Sequence, residues 1–410
     1  MIGLVLEGGG ARGSYHMGVY KAILEEGIEI NGITGTSIGG LNAAMIVQGD
    51  FDICCKLWEN ISYSMIVDLK EEEVDRLYRL NFNNDIRTLI EKLKIIISEG
   101  GLDITPLREL IDRYIDEDRI RSSPMDFGLV TVNLTDRKVQ ELFKEDIPYG
   151  QLKDYLLATA YLPVFKHEKL GGKLYLDGAF YDNLPFRMLK NKGYDKLILV
   201  RTNALGLTRR IDRDDENIII ISPSDDIGGT YSFEPDICKR NMELGYYDAL
   251  RVFRRLKGRR YYIMPKGDKD YYFNLLSNMD EGRIEDIRKL LHISDGKRGK
   301  RLLFEIIIPK LGSLLGLNKD FDYEDLLIAL LDIKAEELGI ERFKVYSFEE
   351  LLGLVINTKP PVKPKVSGRL SPIEKIFERV DISYIFNKEE TLLRVADIIF
   401  INMKSEVRTC

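Results

Sequence analysis

The sequence predicts an α/β layered fold, because strand-like runs, glycine turns and helix-like runs alternate along its first part. A short apolar run, Ile2–Leu6, meets a glycine-rich turn and is followed by apolar residues at helical spacing. The pattern then repeats with a short strand at Ile33-Thr34, the turn Gly35–Gly39 and an apolar helix over Leu41–Val47. Strands that alternate with helices typically form a parallel sheet covered by helices.

Later segments extend this pattern. Residues Phe127–Phe143 are rich in strand-forming side chains, and Leu152–Tyr161 has the spacing of a helix. Three further short apolar runs, Leu174–Leu176, Leu197–Val200 and Ile218–Ile221, predict buried strands.

The domain organisation follows from length and from a change of pattern. A chain of 410 residues is long enough for two or three domains. Near Gly267 the sequence becomes helical and charged, so we expect one domain over residues 1–265 and a mainly helical region over 266–410. A proline-rich connector at 359–364 and a final helical piece over 371–407 divide the second region.

Composition excludes some classes of function. The hydrophobic fraction of 44% and the charged fraction of 31% are ordinary for a globular protein, and a net charge of −6 does not indicate a nucleic-acid partner. The four cysteines lack metal-ligand or disulfide spacing, which predicts free thiols, a reducing compartment and no metal site. Because no secretory signal or membrane-spanning run is apparent, we expect a cytoplasmic location with only peripheral membrane contact.

The segment Gly35-Thr36-Ser37-Ile38-Gly39 fits the G-x-S-x-G nucleophile elbow. In such an elbow Gly35 and Gly39 let neighbouring backbones come close, while Ser37 is held at strained angles with its hydroxyl exposed. The helix that follows has its positive end at the serine and favours developing negative charge. The alternative is an ordinary tight turn.

The segment Gly8, Gly9, Gly10, Ala11, Arg12 and Gly13 fits two hypotheses. It matches the G-x-G-x-x-G fingerprint of a dinucleotide site, with Glu29 as the ribose acid. It also suits an oxyanion hole, in which backbone N–H groups point at one oxygen. The serine elbow on the next strand favours the second hypothesis. Arg12 could stiffen the loop, hold a lipid phosphate, pair with a carboxylate or be solvated.

A catalytic serine needs a base, and the chain has three histidines, His16, His167 and His292. His167 could complete a Ser-His-Asp triad with Asp177, whereas His16 and His292 are expected to be structural. Asp177 itself precedes Gly178 at the end of a strand-like run, a position that on its own favours a structural turn aspartate.

Taken together, these motifs resemble the patatin-like phospholipase family. The resemblance rests on the glycine loop Gly8–Gly13, the elbow Gly35–Gly39 and Asp177-Gly178-Ala179, in that order. Secondary matches are Leu102–Leu107, Ala158–Phe165 and Asn183-Leu184-Pro185. The family often has glycine where this chain has Ala179. The resemblance covers roughly residues 1–260, and the C-terminal region has no assigned counterpart.

The resemblance implies a three-layer α/β sandwich with a mostly parallel central sheet and a two-residue catalytic dyad. Ser37 would attack an ester carbonyl, Asp177 would accept the serine proton, and the Gly8–Gly13 loop would hold the oxyanion. The implied substrates are esters of phospholipids, lysophospholipids or acylglycerols, with no cofactor. Because an ordinary aspartate is a poor base at neutral pH, burial would have to raise the pKa of Asp177.

Contact with a membrane has three sequence candidates, each with a structural alternative. A basic cluster at Arg251–Arg260 could bind anionic headgroups or be a solvated helix face. The apolar stripe Ile86–Ile97 could be a lid or a core helix, and Ile306–Leu317 could line an acyl groove or pack in the core. A non-catalytic lipid-binding scaffold remains a third hypothesis of function, and the sequence does not indicate an oligomeric state.

Overall fold

The structure is a computed structural model, which describes residues 1–68, 101–166, 168–212, 214–359 and 382–403. The chain forms two compact units, Met1–Val252 and Phe253–Cys410. The units divide after Val252, whereas the sequence predicted a boundary after residue 265. The assignment of 1–265 as a catalytic domain stays a prediction.

The first unit is built on a seven-stranded sheet with the order β4-β3-β2-β1-β6-β7, to which β5 adds by pairing with β3. Its strands are β1 Ile2–Leu6, β2 Gly32–Thr36, β3 Asp126–Asn133, β4 Lys138–Phe143, β5 Tyr175–Asp177, β6 Lys196–Val200 and β7 Ile218–Ile221. Only β4 and β5 run antiparallel to their neighbour β3, and the other pairings are parallel. The predicted α/β fold with a mostly parallel central sheet is therefore confirmed.

Helices cover both faces of this sheet. They are α1 Ser14–Glu25, α2 Ile38–Val47, α3 Phe51–Glu59, α4 Thr105–Tyr114, α5 Glu117–Ser122, α6 Leu152–Thr159, α7 Phe186–Asn191 and α8 Pro235–Phe253. In the central strand β1, Leu4, Val5 and Leu6 are all fully buried. Val5 packs in a cluster with Leu189 of α7, while α2 contacts β1, β2 and β3. Burial on both faces explains why β1 is a continuous apolar run.

Helices α1 and α8 approach each other closely at two glycines. A Cβ atom added to Gly18 would overlap the carbonyl oxygen of Met242, and one added to Gly245 would overlap the carbonyl oxygen of Tyr15. Only a residue without a side chain fits at either position. The contact fixes the first helix, which follows the glycine-rich turn, against the last helix of the unit.

The second unit is mainly helical, as predicted. Its elements are β8 Tyr262–Met264, α9 Lys269–Ser277, α10 Glu281–Leu290, α11 Gly299–Leu302, a π-helical turn Leu303–Ile307, α12 Ile308–Leu315, α13 Tyr323–Glu337, β9 Val345–Ser347, α14 Phe348–Asn357 and α15 Ile382–Asn402. Strands β8 and β9 form a small parallel sheet that the sequence did not predict. Ile307, Ile308 and Leu311 are buried in the core, so this stretch of Ile306–Leu317 follows the core-packing alternative.

The predicted basic cluster Arg251–Arg260 is partly neutralised by carboxylates. The ion pairs are Arg251–Asp248 at 3.2 Å, Lys257–Glu324 at 2.9 Å, Lys257–Asp325 at 2.7 Å and Arg260–Glu336 at 2.8 Å. These pairs weaken the argument that the cluster is a site for anionic headgroups.

Three predicted features lie wholly or partly outside the described residues. They are the stripe Ile86–Ile97, residues 360–364 of the connector, and residues 371–381 and 404–407 of the final helical piece, whose described part contains α15. Within the described ranges, none of the helices combines the length and the apolar character that crossing a bilayer requires.

We predict that Gly18→Ala destabilises the first unit by about 2 kcal/mol or more, because the new Cβ atom forces α1 and α8 apart. Alanine normally stabilises a helix by roughly 1 kcal/mol relative to glycine. A measured loss of stability would therefore come from the steric overlap and not from helix propensity. Urea unfolding followed by the fluorescence of Trp58, the single tryptophan, measures this unit. Leu24→Ala, at an exposed position of the same helix, is the control and should have little effect. A Gly18→Ala protein as stable as the wild type would contradict the close approach.

Candidate active site

The turn after β2 has the geometry of a nucleophile elbow. Ser37 lies between β2 and α2 and adopts φ 56° and ψ −129°, a backbone conformation that is strained for a residue with a side chain. Its N–H group donates a hydrogen bond of 3.0 Å to Oγ1 of Thr159. That hydroxyl is buried and donates in turn to the carbonyl of Val130 at 2.6 Å. The strained residue is thus anchored from α6 and β3.

Gly35 and Gly39 allow the backbones around the elbow to come into contact. A Cβ atom on Gly35 would overlap the backbone of Gly39, and one on Gly39 would overlap the carbonyl oxygen of Leu6 at the end of β1. The first turn of α2 therefore lies directly against β1 and the glycine loop that follows it. This agrees with the close approach expected from the G-x-S-x-G spacing.

The sheet register brings Asp177 to the elbow. On β3, Val130 pairs with Thr36 at the end of β2, and the next residue, Thr131, pairs with Asp177 at the end of β5. Because β4 occupies the other side of β3, strands β2 and β5 lie on one side of it and meet end to end. Ser37 and Asp177, far apart in the chain, are consequently brought together.

Asp177 is fully buried and only partly hydrogen-bonded. Its N–H group donates to the carbonyl of Tyr161 at 2.8 Å, and its Oδ1 atom accepts the N–H group of Ala179 at 2.8 Å. The second interaction caps the turn Gly178–Phe180, so the structural role expected of a turn aspartate is present. Oδ2 has no hydrogen bond of normal geometry to any described residue.

The surroundings of Asp177 make its carboxylate unusually basic. Burial raises its pKa from the ordinary 3.8 to about 7, because the charged form loses hydration. The nearby Ser37 hydroxyl and the N–H group of Ala179 act in the opposite direction and lower this pKa. A carboxylate with a pKa near neutrality, beside a serine at an elbow, is suited to proton transfer.

The glycine loop follows β1 and is held largely by its own backbone. The N–H groups of Gly8 and Ala11 donate to the carbonyls of Asn183 at 3.1 Å and Thr230 at 2.8 Å, and that of Arg12 donates to Gly9 at 3.3 Å. Among the described residues, the N–H groups of Gly9 and Gly10 have no acceptor. The loop continues into the helical turn Gly10–Gly13 and then α1, whose N-terminal end favours an anion.

The side chain of Arg12 cross-links loops. Its Nε atom donates to the carbonyl of Gly228 at 2.8 Å, and Nη1 donates to the carbonyls of Asn203 at 2.8 Å and Thr202 at 3.3 Å. Burial lowers the pKa of Arg12, while Asp226 and Glu7 oppose that effect. These contacts favour the loop-stiffening alternative over a phosphate ligand.

The histidines take no part in the described contacts of Ser37 or Asp177. His16 is fully buried, burial lowers its pKa to about 3, and its Nδ1 lies 3.2 Å from Nδ2 of Asn42. His292 follows α10 at a turn with φ 49°, and His167 lies outside the described residues. Where the structure describes the chain, it also has no group of three or more His, Cys, Asp or Glu side chains arranged for a metal ion.

The geometry around β2 does not favour the dinucleotide hypothesis. In a dinucleotide site the ribose acid follows the second strand and shares a sheet edge with the glycine loop. Here Glu29 precedes β2 and lies toward the opposite edge, while the end of β2 carries Ser37.

Comparison with known proteins finds one family similar to the first part of the chain. Residues 4–190 match the family model of the patatin-like phospholipases. This part of the chain is therefore similar to a patatin-like phospholipase domain. The matched range includes the glycine loop, the elbow and Asp177, which are the three motifs on which the resemblance rests.

Similar patatin-like proteins occur in several eukaryotes. A patatin-like phospholipase domain-containing protein of Caenorhabditis elegans is 28% identical over 52% of this chain, the lysophospholipase NTE1 of Saccharomyces cerevisiae is 27% identical over 48%, and the neuropathy target esterase of Drosophila melanogaster is 25% identical over 65%. The chain spans only 14%, 10% and 18% of these proteins. The crystal structure of VipD from Legionella pneumophila aligns at 15% identity and a TM-score of 0.39, covering 98% of this chain and 90% of that one.

Several residues around the candidate site were not singled out from the sequence. Thr159 holds the backbone of Ser37, and Thr230 accepts from the glycine loop. Burial raises the pKa of Tyr231 to about 12, and the nearby charge of Asp177 adds to this effect. Glu7 is fully buried and its carboxylate accepts N–H groups from Thr202 and Asn203 at 2.6 and 2.9 Å. Of these, only Glu7 left a sequence signal, a carboxylate at the end of an apolar strand.

We predict that Asp177→Asn increases the free energy of unfolding at neutral pH and above. The folded-state pKa of about 7 lies above the ordinary 3.8, so the contribution of Asp177 to the free energy of unfolding is fully present below about pH 4 and is lost as pH rises toward 7. Asparagine is neutral throughout, so the stability gained over the wild type should grow over this pH range and then level off. Urea unfolding across the range measures it, with Asp52→Asn at an exposed carboxylate as the control. A gain that did not change with pH would contradict the raised pKa.

Proposed function

We propose that the chain is a lipid acyl hydrolase that cleaves carboxylic esters through an acyl-serine intermediate, with Ser37 as nucleophile and Asp177 as base. One observation carries this proposal. Strands β2 and β5 meet on one side of β3, the strained Ser37 directly follows β2, and the buried Asp177 is the last residue of β5. The patatin-like match over residues 4–190 supports the same assignment.

The first half-reaction forms the acyl-enzyme. The Ser37 Oγ atom attacks the ester carbonyl carbon while its proton passes to Oδ2 of Asp177, the carboxylate oxygen that lacks a hydrogen bond of normal geometry. When the carbon–oxygen bond of the ester breaks, the protonated Asp177 returns that proton to the departing alcohol. A base with a pKa near 7 can accept and release a proton at neutral pH.

The second half-reaction releases the fatty acid. Water attacks the acyl-Ser37 ester, gives a proton to Asp177 and displaces the serine oxygen, which then regains that proton. In both half-reactions the carbonyl oxygen becomes negative. Gly9 and Gly10 carry the loop N–H groups best suited to it, because those of Gly8, Ala11 and Arg12 already have acceptors. Each such donor typically contributes about 3 kcal/mol to stabilisation of the transition state.

The substrate class is inferred from the family and from the relatives. Phospholipids, lysophospholipids and acylglycerols all present a carboxylic ester to a serine nucleophile. The name lysophospholipase belongs to the yeast relative, and a lysophospholipid is therefore the first natural substrate to test here.

We predict that Ser37→Ala and Asp177→Asn each reduce hydrolysis of a short-chain nitrophenyl ester and of a lysophospholipid by about a thousandfold or more. Ser37→Ala removes the attacking oxygen, and Asp177→Asn removes the base. A fluorophosphonate probe should label the wild type and leave Ser37→Ala unlabelled. Ser64→Ala and Asp52→Asn change exposed residues of the same types and are the matched controls.

Two other outcomes would redirect the assignment. Loss of activity in His167→Ala, equal to that in Asp177→Asn, would replace the dyad with a triad. A wild-type protein that neither hydrolyses these esters nor reacts with the fluorophosphonate would favour the non-catalytic lipid-binding scaffold.

We predict that kcat/KM for the short-chain ester rises with pH and levels off above about 7, because only ionised Asp177 can accept the serine proton. Initial rates at low substrate concentration, measured across a pH series with the folded fraction checked at each pH, give this profile. An apparent pKa close to 4 would mean that the base is a solvent-exposed carboxylate and not the buried Asp177.

A further inference from the structure

Three large apolar side chains are exposed near the proposed active site. Leu205 and Leu207, in the segment Thr202–Arg210 that follows β6, are 69% and 63% exposed. Phe180, in the turn after Asp177, is 49% exposed. Single exposed apolar residues are common, whereas a group of them at one place on a protein indicates an interaction surface.

Backbone hydrogen bonds fix these side chains beside one another. The N–H group of Leu207 donates to the carbonyl of Ala179 at 2.9 Å, and the N–H group of Asn183 donates to the carbonyl of Leu207 at 2.6 Å. Phe180 lies in the chain between these two partners. Leu207 and Phe180 therefore belong to one surface, which is held in place by main-chain contacts that a side-chain substitution leaves intact.

The segment Thr202–Arg210 also contacts the glycine loop. The hydroxyl of Thr202 donates to the carbonyl of Gly8 at 2.6 Å, and the side chain of Arg12 donates to the carbonyl of Asn203 at 2.8 Å. Strands β1, β2 and β6 are parallel, so the segments that follow them emerge at one edge of the sheet. The exposed leucines thus lie at the same edge as Ser37.

One exposed cation lies next to these apolar side chains. The charged residues of the segment 202–210 are Arg209 and Arg210, and the acidic residues Asp212, Asp214, Asp215 and Glu216 follow them in the chain. Arg209 lies over the ring of Tyr181 at 4.4 Å and near Asp182 at 3.9 Å, whereas Arg210 is exposed. Exposed apolar residues next to a cation are the combination that binds the headgroup region of an anionic bilayer.

We propose that Leu205, Leu207 and Phe180, with Arg210 beside them, form a docking surface that seats the domain on an anionic lipid bilayer. The apolar side chains enter the boundary between headgroups and acyl chains, and Arg210 contacts the phosphates. This inference rests on the proposed function, since it explains how a lipid ester held in a bilayer reaches Ser37. It differs from the sequence-predicted contact through Arg251–Arg260.

The test compares two double variants that remove similar exposed apolar groups. Leu205→Asn/Leu207→Asn changes the docking surface, and Leu24→Asn/Ile53→Asn changes exposed positions on α1 and α3, 50% and 42% exposed. Both are made in the Ser37→Ala background, so the vesicles stay chemically intact. Flotation with vesicles of equal parts phosphatidylcholine and phosphatidylglycerol measures binding. We expect binding about tenfold weaker or more for the first pair and unchanged for the second.

Charge is tested separately with Arg210→Gln. It should weaken binding to the mixed vesicles several-fold, with a smaller effect at high salt and on phosphatidylcholine alone. Equal binding of Arg210→Gln and its parent to the mixed vesicles would overturn the anionic preference.

Hydrolysis separates this inference from the proposed function. With Ser37 intact, Leu205→Asn/Leu207→Asn should hydrolyse a soluble short-chain ester like the wild type and lose activity on lipid in vesicles. Loss on both substrates, or equal vesicle binding by the two double variants, would overturn the docking surface. So would lipid-free self-association of the wild type that the leucine pair abolishes, because the surface would then bind a second copy. An inactive wild type that still binds vesicles through these leucines would overturn the proposed function alone.

Discussion

The candidate active site depends on how strand β3 pairs with three other strands. Strand β3 pairs with β4 along one side, while its other side is shared by β2 and β5, which meet end to end. Ser37 directly follows Thr36, which pairs with Val130 of β3, and Asp177 pairs with the next residue, Thr131. The sheet therefore sets the distance between the two site residues.

Burial makes Asp177 a stronger base and lowers the free energy of unfolding of the protein when this carboxylate is ionised. The carboxylate is fully buried and caps a turn through Oδ1, but its Oδ2 atom has no hydrogen bond of normal geometry to the described residues. Burying a polar atom without a partner opposes folding, and a pKa near 7 is the same penalty expressed as proton affinity. The strained backbone of Ser37 adds a second local cost. Two unfavourable features in adjacent elements are typical of a functional site rather than of a packing core.

Much of the first unit could be predicted from the sequence, because its signals are local. The apolar run Ile2–Leu6 predicted β1 with its exact bounds, and the spacing Gly35–Gly39 predicted a turn that the φ angle of Ser37 matches. Contacts between distant segments left no such signal. Thr159 supports the elbow from α6, and the short strand β9 forms only because β8 lies beside it. The glycine motif alone fitted two functions, and the position of Glu29 before β2 counts against the dinucleotide site.

The order of the two strands along the chain has a consequence for biosynthesis. The elbow and the glycine loop leave the ribosome early, together with β1 and β2, whereas β5 emerges only after β3, β4 and α6. A nascent chain that has not yet reached Tyr175 therefore has a serine at its elbow and no buried carboxylate beside it. If Ser37 and Asp177 act as proposed, hydrolytic competence arises only when the sheet is nearly complete, and truncated translation products are inert toward the membranes they encounter.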